Sequence, residues 1–266
     1  MDVAESGQIS TEAAEVYERL FVPALFGQFA PLVAEAAGAG PGQRSLDVAC
    51  GTGVLAREMH RRTTPGGRAA GLDCNAGMLA VARRTEPAVD WQEGKAEALP
   101  YEDRQFDAVV SQFGLMYFED RIAALREMRR VLRSGGTMVV AVWDALKNLP
   151  GFAALDALFD RQLGEAAAAS LRAPFVLGDR AKLAATFAAA RIPDAKVEIR
   201  RGTARLPSIE AWVRTEVRGW TLADQVDEGS YERLQRAARD ELRDFARPDG
   251  AVAFAVTANL VVAQKA

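Results

Sequence analysis

Two hydrophobic periods exchange along this chain. Over 11–38 the apolar positions Val16, Leu20, Leu25, Phe29 and Val33 fall at helical spacing, and Pro23 is expected to break that run into two helices. The glycine-rich stretch 38–42 reads as a linker. From there short apolar runs at 45–49, 68–72, 89–93, 106–111 and 137–143 read as strands, and the segments 54–62, 76–84 and 120–132 between them read as helices. In the last helix Ile122, Leu125, Met128, Val131 and Leu132 share a face. Its closing Arg129, Arg130 and Arg133 suit the negative end of the helix dipole, and Gly135 is placed to cap it. Strands alternating with helices imply a parallel sheet covered on both faces, with ligands bound beyond the carboxyl ends of its strands.

The rhythm changes after Trp143. Residues 145–176 are alanine-rich and helical, with Phe152, Leu155, Leu158 and Phe159 on one side. A further sheet-flanking helix is expected at 179–190, and a strand at 195–204 with Val197 and Ile199 facing in and Glu198 and Arg200 out. Residues 208–246 return to helix, carrying Trp212, Trp220 and Tyr231, and 251–264 is β-rich. The sum is an α/β chain with a doubly wound, mostly parallel sheet of seven strands. Residues 1–143 hold the N-terminal helices and the ligand-binding half of one domain, and 144–266 hold the rest. Within the second part, 145–176 and 207–249 read as insertions that cap the carboxyl edge of the sheet. Their large aromatics are isolated in sequence, so the cap is expected to be mobile without ligand.

Composition narrows the partners. The chain has 266 residues, 49% hydrophobic and 26% charged, with a net charge of −3, which provides no basic field to hold a nucleic acid. No run approaches the ~20 apolar residues of a membrane span, and the acidic start, Met1 to Glu5, is not a secretory leader. A cytoplasmic protein is expected. Cys50 and Cys74 are the only cysteines and read as reduced thiols; His60, the only histidine, sits among Arg57, Arg61 and Arg62 on a solvated face. One histidine builds neither a metal cluster nor a histidine dyad, so no metal is expected.

The chemistry concentrates at Leu46-Asp47-Val48-Ala49-Cys50-Gly51-Thr52-Gly53. An apolar strand ends beside a carboxylate, then a turn with two glycines leads into a helix. Gly51-x-Gly53-x-x-Ala56, with Asp73 following at a suitable distance, also fits the dinucleotide fingerprint. Asp47 separates the two: a pyrophosphate site disfavours a carboxylate there, whereas an amino-acid ammonium favours one.

The downstream segments carry a family likeness. Residues 46–53, then Gly71-Leu72-Asp73-Cys74-Asn75-Ala76-Gly77-Met78-Leu79, Gly94 to Pro100, Phe106 to Gln112 and Arg130 to Gly136 resemble, in order, the motifs of class I S-adenosylmethionine-dependent methyltransferases. The likeness covers about residues 11–143 and is nearest to the ubiquinone/menaquinone-biosynthesis-type branch of small-molecule enzymes. It implies a Rossmann-like methyltransferase fold, S-adenosylmethionine as cofactor, and roles for particular residues. Asp47, with the backbone at Ala49 and Gly51, would hold the methionine ammonium, and Gly53 would let the cofactor pack against the turn. Asp73 would accept both ribose hydroxyls. Cys74 and Met78 would line the adenine, with Ala96 and Glu97 at its edge. Gln112 would lie beside the methionine end, and Tyr17 would reach the methionine carboxylate. One departure is Lys95, where many relatives place an aspartate against the adenine amino group; lysine has no acceptor to offer it.

Methyl transfer from a sulfonium is an in-line displacement that asks mainly for positioning. The loop Ser111-Gln112-Phe113-Gly114 lacks the Asn/Asp-Pro-Pro-Tyr/Phe pattern that grips the amino groups of bases. With the aromatics Phe152, Phe159, Phe175, Trp212 and Trp220 in the cap, this points to an apolar small-molecule acceptor methylated at oxygen or carbon, with nitrogen still possible. Phe113, Tyr117 and Trp143 are the candidate acceptor contacts, although Trp143, Trp212 and Trp220 read individually as packing in preference to substrate contacts. No residue is singled out as catalytic. The rival readings are a non-catalytic S-adenosylmethionine-binding scaffold or sensor, and a nicotinamide-dependent oxidoreductase.

Overall fold

The computed structural model describes residues 10–218 and 226–266; the acidic run at 1–5 and Trp220 lie outside the described residues. The strands are β1 (Arg44–Val48), β2 (Arg68–Asp73), β3 (Asp90–Glu93), β4 (Phe106–Gln112), β5 (Leu132–Trp143), β6 (Lys196–Leu206) and β7 (Val252–Gln264). They form one sheet in the order β3-β2-β1-β4-β5-β7-β6. β1 to β5 pair in parallel, while β7 runs antiparallel to both β5 and β6. Successive residues of β1 are buried, as are Ala108 to Ser111 of β4 and Met138 to Trp143 of β5. Both faces are therefore covered, which is why these strands read as apolar runs and not as alternation. The strand order reverses between β1 and β4, so their carboxyl ends flank the crevice where such sheets bind ligands.

Three local expectations are corrected. Pro23 does not break the first helix. The helix α1 (Thr11–Val16) runs on into a π-helical stretch, Tyr17–Phe26, that contains Pro23, and the break falls at 27–29 before α2 (Ala30–Ala36). The wide turn bonds five residues back, as Gly27 N–H does to the Val22 carbonyl at 2.7 Å. Gly135 does not cap the helix α5 (Arg121–Val131); Leu132 turns directly into β5, and the β4–β5 register shifts where Gly135 lies. The orphan carbonyls are met from the far end of the chain, the Lys265 ammonium donating to Arg129 O at 2.7 Å and Leu132 O at 2.6 Å. Ile199 is 40% exposed and does not face in, because β6 has β7 on one side and an open edge on the other.

The cap has a firm base. Trp143 stands opposite Ala258, but the β6–β7 ladder continues to Leu206 opposite Val252, so that ribbon overhangs the end of β5. The helices α6 (Pro150–Leu163) and α7 (Glu165–Arg172) follow β5, and α9 (Ile209–Arg218) and α10 (Glu228–Glu241) follow β6. Between the pairs α8 (Arg180–Ala189) packs on α5 and β6 as a flanking helix. Phe254, on the overhang, meets Trp212 with ring centroids 4.5 Å apart and Phe152 edge-on at 5.4 Å. Leu155, Leu158, Phe159 and Trp212 are fully buried, so aromatics isolated in sequence have partners in space. The lid expectation then narrows to α7 and α9, which border the cleft described below. Hydrogen exchange should slow there when cofactor product and acceptor bind together, while β1 and α6 are protected throughout. Equal protection of α7, α9 and β1 before ligand addition would remove the lid.

Candidate functional site

The turn after β1 is built from unusual backbone. Ala49 has φ +58°, Gly51 +54° and Gly53 +91°. A non-glycine residue in that region is a marker of strain held by its surroundings. The two glycines serve different ends. A side chain at Gly51 would meet only open space, whereas one at Gly53 would overlap the Trp91 ring from β3. Trp91 therefore requires a glycine at 53, and open space lies beside Gly51. The helix α3 (Val54–Thr63) starts immediately after Gly53. Its Arg57 donates to the Thr52 carbonyl at 2.7 Å and pairs with Glu18 at 2.7 Å, pinning the N-terminal helix to the turn.

Two carboxylates meet here. Asp73 ends β2; its oxygens accept from Gly51 N–H and Asn75 N–H, each at 2.8 Å. It thus ties the turn to the second strand, with the Cys74 amide also acting on the carboxylate. Burial raises its pKa against the pull of those amides. Asp47 is 2% exposed. Burial holds its carboxyl well above the usual range; the Ala56 amide opposes this, yet neither oxygen closes a hydrogen bond among the described residues. Thr52 Oγ, Ser111 Oγ and Gln112 Oε1 are buried and unpartnered as well. Buried polar atoms left unpaired are rare in folded proteins; among the described residues they are scattered, and five of the twelve lie at the carboxyl ends of β1 and β4.

The other candidates take these places. Tyr17 stacks on Phe26 at 5.2 Å. After burial, the charges that raise its phenol pKa are those of Tyr117, Asp73, Glu18 and Asp47, which sets it between the two carboxylates and the cleft. Met78, in the first turn of α4 (Ala76–Thr85), is buried with Ala14 and Val81 against Tyr17. Cys74 is exposed just past β2, and Ala96 is buried. Glu97 accepts from Asp120 N–H at 3.3 Å, at the start of α5. Lys95 pairs with Glu119 at the surface, 3.0 Å away. Gln112 donates to the Phe26 carbonyl at 3.2 Å, joining β4 to the N-terminal helix. Among the described residues no group of three or more His, Cys, Asp or Glu is placed to hold a metal.

Beside the turn lies a cleft lined by Tyr17, Phe26, Phe113, Tyr117, Trp143, Phe152, Phe175 and Glu216 among others. Phe113 and Trp143 stack at 3.9 Å with planes 12° apart, and Phe29 braces both edge-on. Phe113 has φ +57°, and its N–H bonds to Ala141 O at 2.8 Å. The three residues expected to meet an acceptor thus line one cavity, together with Phe152 and Phe175; Phe159 and Trp212 are core. Sequence reasoning missed Phe26, Trp91 and Glu216. For Glu216 a signal was present: it interrupts the apolar face Ile209, Trp212, Val213, Val217 of α9.

Residues 46–140 match the family model of a methyltransferase domain. A demethylmenaquinone methyltransferase of Renibacterium salmoninarum is 46% identical over 110 residues, 41% of this chain and 45% of that one. Another from Chlorobaculum tepidum is 44% identical over 91 residues, 34% of this chain and 37% of that one. The chain thus spans less than half the length of these two curated relatives. Among solved structures, a putative methyltransferase from an antibiotic biosynthesis pathway of Anabaena variabilis superposes with a TM-score of 0.64 at 17% identity, covering 89% of this chain and 96% of that one. The phosphoethanolamine N-methyltransferase 2 of Haemonchus contortus gives 0.59 at 18%, covering 97% and 58%. At such identities these likenesses speak for the fold alone, and the motif residues fall inside the matched domain. Residues 46–140 match a methyltransferase domain, and over part of its length the chain is similar to demethylmenaquinone methyltransferases.

Proposed function

We propose that the chain transfers a methyl group from S-adenosylmethionine to a small apolar acceptor, at oxygen or carbon in preference to nitrogen. The observation that carries the reading is the buried, unpartnered Asp47 beside the strained turn, with Asp73 next to it and an aromatic cleft opening alongside. Asp47 would take the ammonium with the Ala49 and Gly51 backbone, Asp73 the ribose hydroxyls, and Cys74, Met78, Ala96 and Glu97 the adenine end. Gln112 and Tyr17 would border the methionine end. The cofactor supplies a methyl group already activated on a sulfonium; the chain's task is to exclude water and hold an acceptor in line with it. Phe113 and Trp143 offer a flat apolar wall for that purpose. The printed names of the relatives concern a demethylated menaquinone, which suits such a wall, but the matched domain stops at residue 140, before the cap that shapes the cleft. A nicotinamide reading is disfavoured by Asp47 and by the antiparallel β7 inside the sheet. Incubating the protein with S-adenosylmethionine and a panel of phenolic, quinol, enol and amine metabolites tests the reading. Formation of S-adenosylhomocysteine with a hydroxyl or activated-carbon acceptor is expected; turnover of amines alone would contradict the preference.

Two further outcomes follow from the placement. Burial raises the pKa of Asp47 in the free protein, and an ammonium beside it favours the charged form and lowers it again. Binding should therefore release a proton, and affinity should rise with pH until Asp47 ionises unaided. Calorimetry in two buffers of different ionisation enthalpy measures that proton; its absence would take Asp47 out of contact with the ammonium. Lys95→Asp should leave cofactor affinity intact or tighten it, because it offers an acceptor near the adenine end and gives up only an exposed ion pair. A loss beyond tenfold in a titration would show a role for the lysine.

A further inference from the structure

The helix α9 places a carboxyl group in the wall of the cleft. Its exposed side carries Arg214, and Arg218 is turned to Glu228 at 2.7 Å and over the Tyr231 ring at 4.7 Å. Glu216 lies on the inward side with Trp212, Val213 and Val217. Among the described lining residues it is the only charged one, and no hydrogen bond or ion pair reaches it among the described residues. The titratable groups that share the cleft wall with it are the phenols of Tyr17, from the N-terminal helix, and Tyr117, from the turn after β4; Ser170 of α7 is the further polar side chain in the wall. Tyr117 is 46% exposed as a residue, yet its phenol is raised by loss of solvent at the cleft and then by the Glu216 charge. An anion left this way in an apolar wall costs stability unless a ligand uses it.

Resting on the methyl-transfer reading above, we propose that Glu216 is the catalytic proton acceptor for a planar acceptor bearing a hydroxyl on an aromatic or enolic carbon. The flat Phe113–Trp143 pair and Phe26 take the ring, and the carboxylate receives the hydroxyl hydrogen. As the acceptor oxygen forms its bond to the methyl carbon, its O–H bond breaks and the proton passes to Glu216. The carbon–sulfur bond of the donor breaks, its electron pair stays on sulfur, and the net proton leaves to solvent when Glu216 releases it. The proton affinity of the group matches the task. Burial lifts its pKa to about 8, whereas an unperturbed glutamate near 4.3 would be a poor base toward a phenol near 10. A cationic amine is the competing ligand for an aromatic cage with one carboxylate. It would, however, demand a permanently ionised Glu216 and a second step to free its lone pair.

The test uses the full chain, S-adenosylhomocysteine or S-adenosylmethionine, and 2-naphthol as the probe, with 2-methoxynaphthalene and 2-naphthylmethylamine as controls. Calorimetry on the S-adenosylhomocysteine complex should show 2-naphthol binding in preference to both controls. In single turnovers with S-adenosylmethionine, methylation of 2-naphthol should rise about tenfold per pH unit and level off near pH 8. Glu216→Gln should lower that rate at least a hundredfold and abolish the inflection, while leaving the dissociation constant of S-adenosylhomocysteine within threefold. Without any ligand, the same variant should melt higher than the parent at pH 9 and equal to it at pH 4. The sign follows from a folded pKa above the unfolded one: the carboxyl loses stabilising weight as pH climbs from the ordinary range through about 8. A preserved rate and inflection in the variant, no binding of 2-naphthol to the wild-type complex, or preference for the amine would each overturn the proposal. Failure of S-adenosylhomocysteine to bind the wild type would instead overturn the methyl-transfer reading beneath it.

Discussion

Asp73→Ala is expected to weaken S-adenosylmethionine binding at least a hundredfold. Two charge-assisted hydrogen bonds to the ribose would be lost, each worth about 1.5–3 kcal/mol. The structure adds a second cost. The same carboxylate accepts from Gly51 N–H and Asn75 N–H, and two buried donors left unpaired should destabilise the free protein by about 1–3 kcal/mol. Burial raises the folded pKa of Asp73, so its contribution is fullest below the ordinary carboxylate range and declines as pH rises through the folded value. The stability penalty should accordingly be larger at pH 4 than at pH 8. Calorimetric titration reads the first effect and urea unfolding the second. A folded variant with unchanged affinity would remove Asp73 from the cofactor site and leave it as a tether.

Trp212→Ala should cost about 3–5 kcal/mol of unfolding free energy, the range for emptying a buried aromatic site. Trp212 is fully buried on Phe254 and Phe245, where α9 meets the overhanging β7. Trp212→Phe should cost far less. Its indole N–H is buried without a partner among the described residues, and phenylalanine removes that donor along with some volume. Urea denaturation of the pair decides it. Equal penalties would mean that the indole N–H is satisfied in solution, and two small penalties would mean that the cap is not packed on the ribbon.

What was legible in the sequence was local and periodic. Asp47 and Asp73 could be placed because each ends an apolar strand before a turn, and the alternation of strands and helices put those ends on one edge. The features that escaped depend on partners far away in the chain. Nothing near Gly53 announces Trp91, and nothing near Gly135 announces that Lys265 will cap the preceding helix. Pro23 reads as a breaker because a standard helix would break there; the π-helical stretch avoids the conflict by shifting its hydrogen bonds one residue further. Ile199 followed the alternation rule, but an edge strand leaves part of its surface bare. The cap aromatics looked unpartnered because the ribbon that receives them is assembled from strands on either side of the insertions. Glu216 was visible as a charge in an apolar stripe, and its setting emerged only when α9 was laid against the cleft.

The central claim is that Asp47, Asp73 and the turn between them form a site for S-adenosylmethionine. The most direct measurement is calorimetric titration of the wild-type chain with S-adenosylhomocysteine, with S-adenosylmethionine and with NAD, alongside Asp47→Asn. The account predicts binding of both sulfur ligands to the wild type and none of NAD. For Asp47→Asn, which removes the charge under the ammonium and keeps the size of the side chain, it predicts at least a tenfold loss, about 1.4 kcal/mol. Binding of NAD without S-adenosylhomocysteine, or full affinity in folded Asp47→Asn, would contradict it.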